Sequence, residues 1–186
     1  MTQVQATETT LQSDDFALFG LPRRFAQDPA EIDARWKALQ RQAHPDRFAS
    51  QGEAAQRLAM QWAVRINEAR QRLLDPVRRA AYLCSLDGFP VRAEDNTAMP
   101  PAFLMQQMAW REALEDAQDA QALEALRAEI EAARARTLAA VEQALDTHHD
   151  PKAAAEAVRQ LMFIDRIRQA LLQKQHELAE ARERRR

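Results

Sequence analysis

LQRQAHPDRFASQGE, residues 39–53, is the stretch on which the reading of this chain turns. Its centre, His44-Pro45-Asp46, lies between two segments of helical periodicity. The preceding segment, DPAEIDARWKALQRQA, opens with Asp28 as an N-cap, Pro29 at the first helical position and Glu31 in the first turn. Ile32, Trp36, Leu39 and Ala43 then recur at intervals of four, three and four, which places them on one apolar stripe. Pro45 ends this helix, because the residue before a proline is pushed away from helical backbone angles. Ser50 and Glu53 spell a capping box for the next helix, which carries Leu58, Trp62, Ile66, Ala69 and Leu73 on one face. The two stripes bury each other only if the helices fold back antiparallel, so residues 44–50 become the tip of a helical hairpin.

Short helices flank the hairpin. DDFALFGLP supplies a turn of helix with Asp14 and Asp15 as N-terminal caps and Gly20 and Pro22 as its stop, and Asp75-Pro76 opens PVRRAAYLCSL by the same cap-then-proline device. Residues 87–100 carry Gly88, Pro90, Asn96 and Pro100, the turn chemistry of a linker. Three long helical segments follow, at about 101–118, 120–147 and 151–183, and their short connections imply an antiparallel three-helix bundle. The expected organisation is all-α: a flexible N-terminus over 1–13, a hairpin domain over 14–86, a linker over 87–100 and a bundle over 101–186.

Composition supports this class and narrows the function. Three glycines among 186 residues, with abundant Ala, Leu, Gln, Glu and Arg, favour helix nearly throughout. A net charge of −2 gives no global attraction to nucleic acid or anionic lipid, and the basic terminal RERRR has no interleaved aromatics to make it a nucleic-acid site. The single cysteine, Cys84, excludes an internal disulfide and a cysteine metal cluster, and reads as a buried structural thiol of a reducing compartment. Neighbouring His148 and His149 point in different directions on a helix and lack a carboxylate at ligand spacing, so no metal is expected there. MTQVQATETTLQSDD has neither a basic region nor an apolar run, and nothing approaches the roughly 20 apolar residues of a membrane span. A cytoplasmic monomer without cofactor is expected.

As chemistry, a His44–Asp46 pair could orient an imidazole as a general base. No nucleophile motif, glycine-rich phosphate cradle or second acidic cluster accompanies them, so no catalytic residue is expected. In the second half, Phe103, Trp110 and Leu114 fall within about 40° of each other on an ideal helix, a core stripe. Leu104, Met105 and Met108 lie roughly 100–200° away, flanked by Arg111 and Glu112. Either this second face is buried between the other two helices or against the hairpin domain, or it is apolar area that seeks a partner, a task to which methionine's flexible thioether is suited.

LQRQAHPDRF after a stripe-bearing helix resembles the signature loop of J-domains, and FALFGL before it and RRAAY after it agree with that layout. FLMQQMAWREAL and RQLMFIDRIR are similar to the C-terminal bundle of the HscB family, J-type co-chaperones of iron–sulfur cluster assembly. The resemblance covers nearly the whole chain beyond residue 13. It implies a J-domain that stimulates ATP hydrolysis by HscA, a DnaK-class chaperone, and a bundle that binds the cluster scaffold IscU. Carried onto this sequence, His44, Pro45 and Asp46 match the loop that triggers the ATPase. Lys37 and Arg41, with Arg35 and Arg47 nearby, match the basic flank that approaches an acidic chaperone surface. Leu104, Met105, Met108, Arg111, Glu112 and Phe163 match positions that contact IscU.

Ala43 and Ala38 depart from generic J-domains, which often carry an aromatic before the histidine and a second basic residue beside the one at Lys37; this argues for a dedicated chaperone partner. Ala109 stands where some relatives have an acidic residue. Absence of a glycine/phenylalanine-rich segment and of zinc-binding cysteines separates the chain from general DnaJ-type proteins, and absence of N-terminal cysteine pairs favours a bacterial type. Two other readings make different predictions. A J-protein serving another client of a general chaperone would not bind IscU, and a small helical enzyme using His44 and Asp46 would turn over substrate without any ATPase present.

Overall fold

The computed structural model describes residues 10–44, 52–92 and 99–183, with side chains to residue 180. Among them are seven α-helices and no strand: α1 (Asp15–Phe19), α2 (Pro29–Ala43), α3 (Glu53–Leu74), α4 (Pro76–Leu86), α5 (Pro101–Asp116), α6 (Ala120–Glu142) and α7 (Pro151–Glu183). The all-α expectation and its helix order hold. The chain divides into two compact units, 1–79 and 80–186, so the division falls inside α4, ahead of the expected linker. Part of the 87–100 stretch is tied into the second unit, where Val91 is buried and its carbonyl accepts from the buried Arg159 at 3.2 Å.

Aspartate caps set most helix starts. Asp14, Asp28, Asp75, Asp119 and Asp150 each accept from a backbone N–H of the following first turn at 2.8–2.9 Å. Such a bond satisfies one of the donors a helix N-terminus leaves unpaired. Asp15, expected as a second cap, does something else: its carboxylate is wholly buried and pairs with Arg65 and Arg72 of α3, each at 2.6 Å. Arg65 also donates to the carbonyls of Leu11 and Ser13. Residues 10–13, at the end of the expected loose segment, are therefore a turn held against α3.

In the first unit α2 and α3 form the expected hairpin. Asp33 pairs with Arg70 at 2.8 Å, while Trp36 Nε1 and Gln40 Nε2 both donate to Asn67 Oδ1, at 2.9 and 2.8 Å. Ile32, Ile66, Ala69 and Leu73 are buried, but Leu58 is 48% exposed and Ala59 turns inward in its place. Leu58 sits in the first turns of α3, where the wheel drawn from the centre of the helix overreaches. The capping box is also corrected: α3 begins at Glu53 with Gly52 as N-cap and no side-chain bond, so Glu53 holds the first helical position and not the third. Ser50 lies outside the described residues.

The second unit is an up-down-up bundle. Arg134 pairs with Asp165 at 2.7 Å and Glu131 with Arg168, so α6 and α7 run antiparallel. Phe103 meets Phe163 edge-on and Lys174 caps the end of α5 at Leu114 and Glu115, so α5 and α7 run parallel. Trp110, Leu126, Ile130, Ile164, Ile167 and Leu171 form the core between them. The expected helix 120–147 holds to Glu142, then widens into a five-residue π-turn over Gln143–Thr147. His149 closes that turn at φ 52, in the left-handed region.

Candidate partner-binding surfaces

Two surfaces arise from this frame, one in each unit. His44 is the C-cap of α2, exposed, with φ −63 and ψ 126, the extended geometry that the following proline demands. Pro45, Asp46 and Arg47 lie outside the described residues. Lys37 and Arg41 are exposed, one turn apart, and by the 100° advance of an ideal helix they fall within about 60° of His44. Arg35 belongs elsewhere: it lies about 160° from Lys37 around the helix. There its guanidinium pairs with Glu31 at 3.2 Å. The sequence places the four cations together; among the described residues the helix unites Lys37 and Arg41 with His44 and turns Arg35 away.

The register of this face is set from α3. A single oxygen, Asn67 Oδ1, takes hydrogen bonds from Trp36 and Gln40, the latter in the last turn of α2. The Arg70 guanidinium lies 4.5 Å from the centre of the Trp36 ring and also pairs with Asp33. Nothing in the spacing of Asn67 and Arg70 marks them, because polar residues on an outward helix face read as solvated.

On the second unit, α5 exposes the apolar face that the helical wheel separated from its core stripe. Met105 is 72% exposed, Met108 71% and Leu104 44%, while Trp110 beneath them is 2% exposed. Arg111 and Glu112 are exposed beside the methionines. Of the two possibilities the sequence left open for this face, burial within the described bundle is thus excluded. Phe163 of α7 is only half-buried: it packs edge-on against Phe103 with ring centres 6.0 Å apart, and the Arg111 guanidinium stands 5.3 Å from its ring centre. Five of the six candidate side chains thus share α5, and Arg111 joins the sixth to them. Methyl, thioether and aromatic surface flanked by one base and one acid has the chemistry common to protein–protein contacts.

Two anchors of α5 escaped the sequence reading. Glu129 Oε1 on α6 accepts from Gln106 Nε2 at 2.7 Å and from Trp110 Nε1 at 2.9 Å. Lys174 Nζ on α7 donates to the carbonyls of Leu114 and Glu115. A long charged helix offers no sign that these particular residues hold α5.

Cys84 is buried, and burial first, with the Asp87 carboxylate second, pushes its thiol up to about 11. It is inert packing and no nucleophile. Among the described residues no His, Cys, Asp and Glu group has metal-site geometry, and no helix is long and apolar enough to cross a membrane.

Comparison with known proteins bears on both units. Residues 99–172 match the family model described as the HSCB C-terminal oligomerisation domain. A co-chaperone protein HscB homolog of Burkholderia mallei is 55% identical over 161 residues, spanning 85% of this chain and 91% of its own. The corresponding protein of Bordetella pertussis is 49% identical over 159 residues, 85% of this chain and 94% of its own. Among solved structures, the chaperone HscB from Vibrio cholerae aligns with a TM-score of 0.77 at 36% identity, covering 89% of this chain and 99% of that one. Human co-chaperone HscB aligns with a TM-score of 0.83 at 25% identity, covering 88% and 83%.

Proposed function

Because the chain belongs to the HscB family of co-chaperones, we propose that it binds the iron–sulfur scaffold IscU through its C-terminal bundle and delivers it to HscA, whose ATPase the J-domain stimulates. The observation that carries this reading is the pair of methionines on α5, more than two-thirds exposed above a packed aromatic core. A bundle that gained nothing from that face would place polar residues there, since exposed apolar clusters invite unwanted association. IscU is the occupant that the match of Leu104, Met105, Met108, Arg111, Glu112 and Phe163 to the family's scaffold contacts supports.

The chaperone end works by presentation. His44, Pro45 and Asp46 would engage HscA, Lys37, Arg41 and Arg47 would steer the approach, and Arg35, turned toward Glu31, would stand outside the contact. The hydrolytic chemistry takes place in the chaperone. This protein contributes two binding faces on one chain, and joining them raises the local concentration of scaffold at the chaperone with no allosteric step required.

The test is the HscA ATPase rate with IscU, measured with and without this protein and its His44→Gln variant. Wild type should stimulate and His44→Gln should not; equal stimulation by both would remove the loop from the mechanism. For the scaffold face, Leu104→Ala combined with Phe163→Ala should weaken IscU binding with circular dichroism unchanged. Loss of helicity would instead mean that these side chains serve only the core.

A further inference from the structure

The outer face of α5 is fixed from the opposite side of the helix. Gln106 and Trp110, one turn apart, both donate to the same carboxylate oxygen of Glu129 on α6. On an ideal helix the midpoint of those two positions lies about 180° from Met108, about 140° from Leu104 and about 120° from Met105. The grip that draws one side of α5 toward α6 is thus the grip that aims the methionines away from the bundle. Two donors at different heights on one acceptor also fix both the rotation of α5 and its height along α6.

Apolar packing alone would not fix them. α5 buries a narrow stripe, with Trp110 its one fully buried large side chain and Phe103 and Leu114 half-buried. A cleft of about 310 Å³, lined by Ala102, Phe103, Gln106, Trp110 and Ala133 among others, borders the N-terminal half of the helix on its α6 side. Space beside a thinly packed helix allows it to turn, because no close-packed neighbour resists. At the C-terminal end Lys174 adds a second polar anchor on the carbonyls of Leu114 and Glu115.

We infer that Glu129 is a positioning residue for the scaffold-binding face: it touches no partner, and through Gln106 and Trp110 it selects the one rotation of α5 that presents Leu104, Met105 and Met108 together. This rests on the proposal that the face binds IscU. Removing the carboxylate leaves the buried indole N–H without an acceptor, and the helix gains by turning until that group finds water or another partner. Glutamine keeps an acceptor oxygen in the same place, so Glu129→Gln should hold the register where Glu129→Leu loses it.

The experiment has two arms. In the first, a nitroxide is attached at Met108→Cys in the full chain, with Cys84 protected by burial. Wild-type and Glu129→Gln backgrounds should give one mobile spectral component, and Glu129→Leu a second, immobilised one. Identical spectra in all three would overturn the inference whether or not IscU binds. The second arm titrates IscU: Glu129→Leu should weaken binding about tenfold and Glu129→Gln less than about threefold. The loss from Glu129→Leu should also shrink in a Leu104→Ala background, since the two act through one surface. Equal affinity of wild type and Glu129→Leu, or fully additive losses, would contradict the inference. Absence of IscU binding by the wild type would instead refute the scaffold reading, and the spectra would still decide the role of Glu129.

Discussion

Replacing Asp15 with asparagine should remove a large share of the stability of the first unit while changing almost no volume. The carboxylate has no solvent exposure and holds two guanidiniums at 2.6 Å, those of Arg65 and Arg72. An amide retains one acceptor oxygen, so one contact survives as a neutral-acceptor hydrogen bond and the other is lost with the charge. Hydrogen bonds to charged groups contribute about 1.5–3 kcal/mol and neutral ones about 1 kcal/mol. Breaking a fully buried ion pair costs about 3–5 kcal/mol, because the remaining charge is stranded away from water. Here the arginine side chains keep 19% and 36% of their exposure and can relax toward solvent, which lowers the expected cost to about 2–3 kcal/mol. Urea unfolding followed by tryptophan emission is the assay, since Trp36 and Trp62 both lie in the first unit. With a slope of about 1–2 kcal/mol per molar urea, the midpoint should fall by roughly 1–3 M. Arg35→Gln, which breaks a half-exposed pair with Glu31, should cost under about 1 kcal/mol in the same assay. If Asp15→Asn and Arg35→Gln cost the same, the buried carboxylate is not the anchor of α1 described above.

Three further outcomes are expected. Folding holds the Cys84 proton up to about pH 11, against 9.0 for a free thiol, so the folded state retains a proton that the unfolded chain gives up in this window. Stability contributed by the neutral thiol is present below pH 9 and lost as pH rises toward 11, and Cys84→Ala should flatten the decline in urea midpoint across that range. His149 sits at φ 52 after the π-turn, where a side chain costs roughly 1–2 kcal/mol. His149→Gly should therefore raise stability by about 0.5–1 kcal/mol after the extra entropy of an unfolded glycine, and a fall in urea midpoint would show that the bond from His149 Nδ1 to the Leu145 carbonyl matters more. Lys37→Gln with Arg41→Gln should raise the concentration of this protein needed for half-maximal HscA stimulation and reduce its dependence on salt; an unchanged salt dependence would separate these cations from the encounter.

Most of the fold was legible because it is written in local chemistry. The Asp-Pro starts at 28–29, 75–76 and 150–151 fall where helices begin, since capping and the proline φ act within one turn. The apolar stripe of α7 and the exposed second face of α5 follow from helical advance alone. The reading of Asp15 as a cap fails for a different reason, namely that its deciding partners are distant in sequence. Asp15 looks like a cap beside Asp14 until Arg65 and Arg72, fifty and fifty-seven positions on, converge on it. Arg35 looks like part of a basic flank because it is two residues from Lys37, yet two residues along a helix is nearly the opposite side, and Glu31 is its neighbour there.

The candidate surfaces divide in the same way. Side chains that would meet a partner directly are recoverable from pattern, because a partner-facing position violates the expected polarity of a helix surface, as Met105 and Met108 do. Side chains that aim those positions obey every local rule and leave no such trace. Glu129 is a glutamate on a charged helix and Asn67 a polar residue on an amphipathic one, and only the geometry shows each collecting two donors on one oxygen. Under the proposed role of presentation, such residues would set the angle at which a contact face is offered. Substitutions at Glu129 and Asn67 should therefore affect partner engagement more than their ordinary appearance in the sequence suggests.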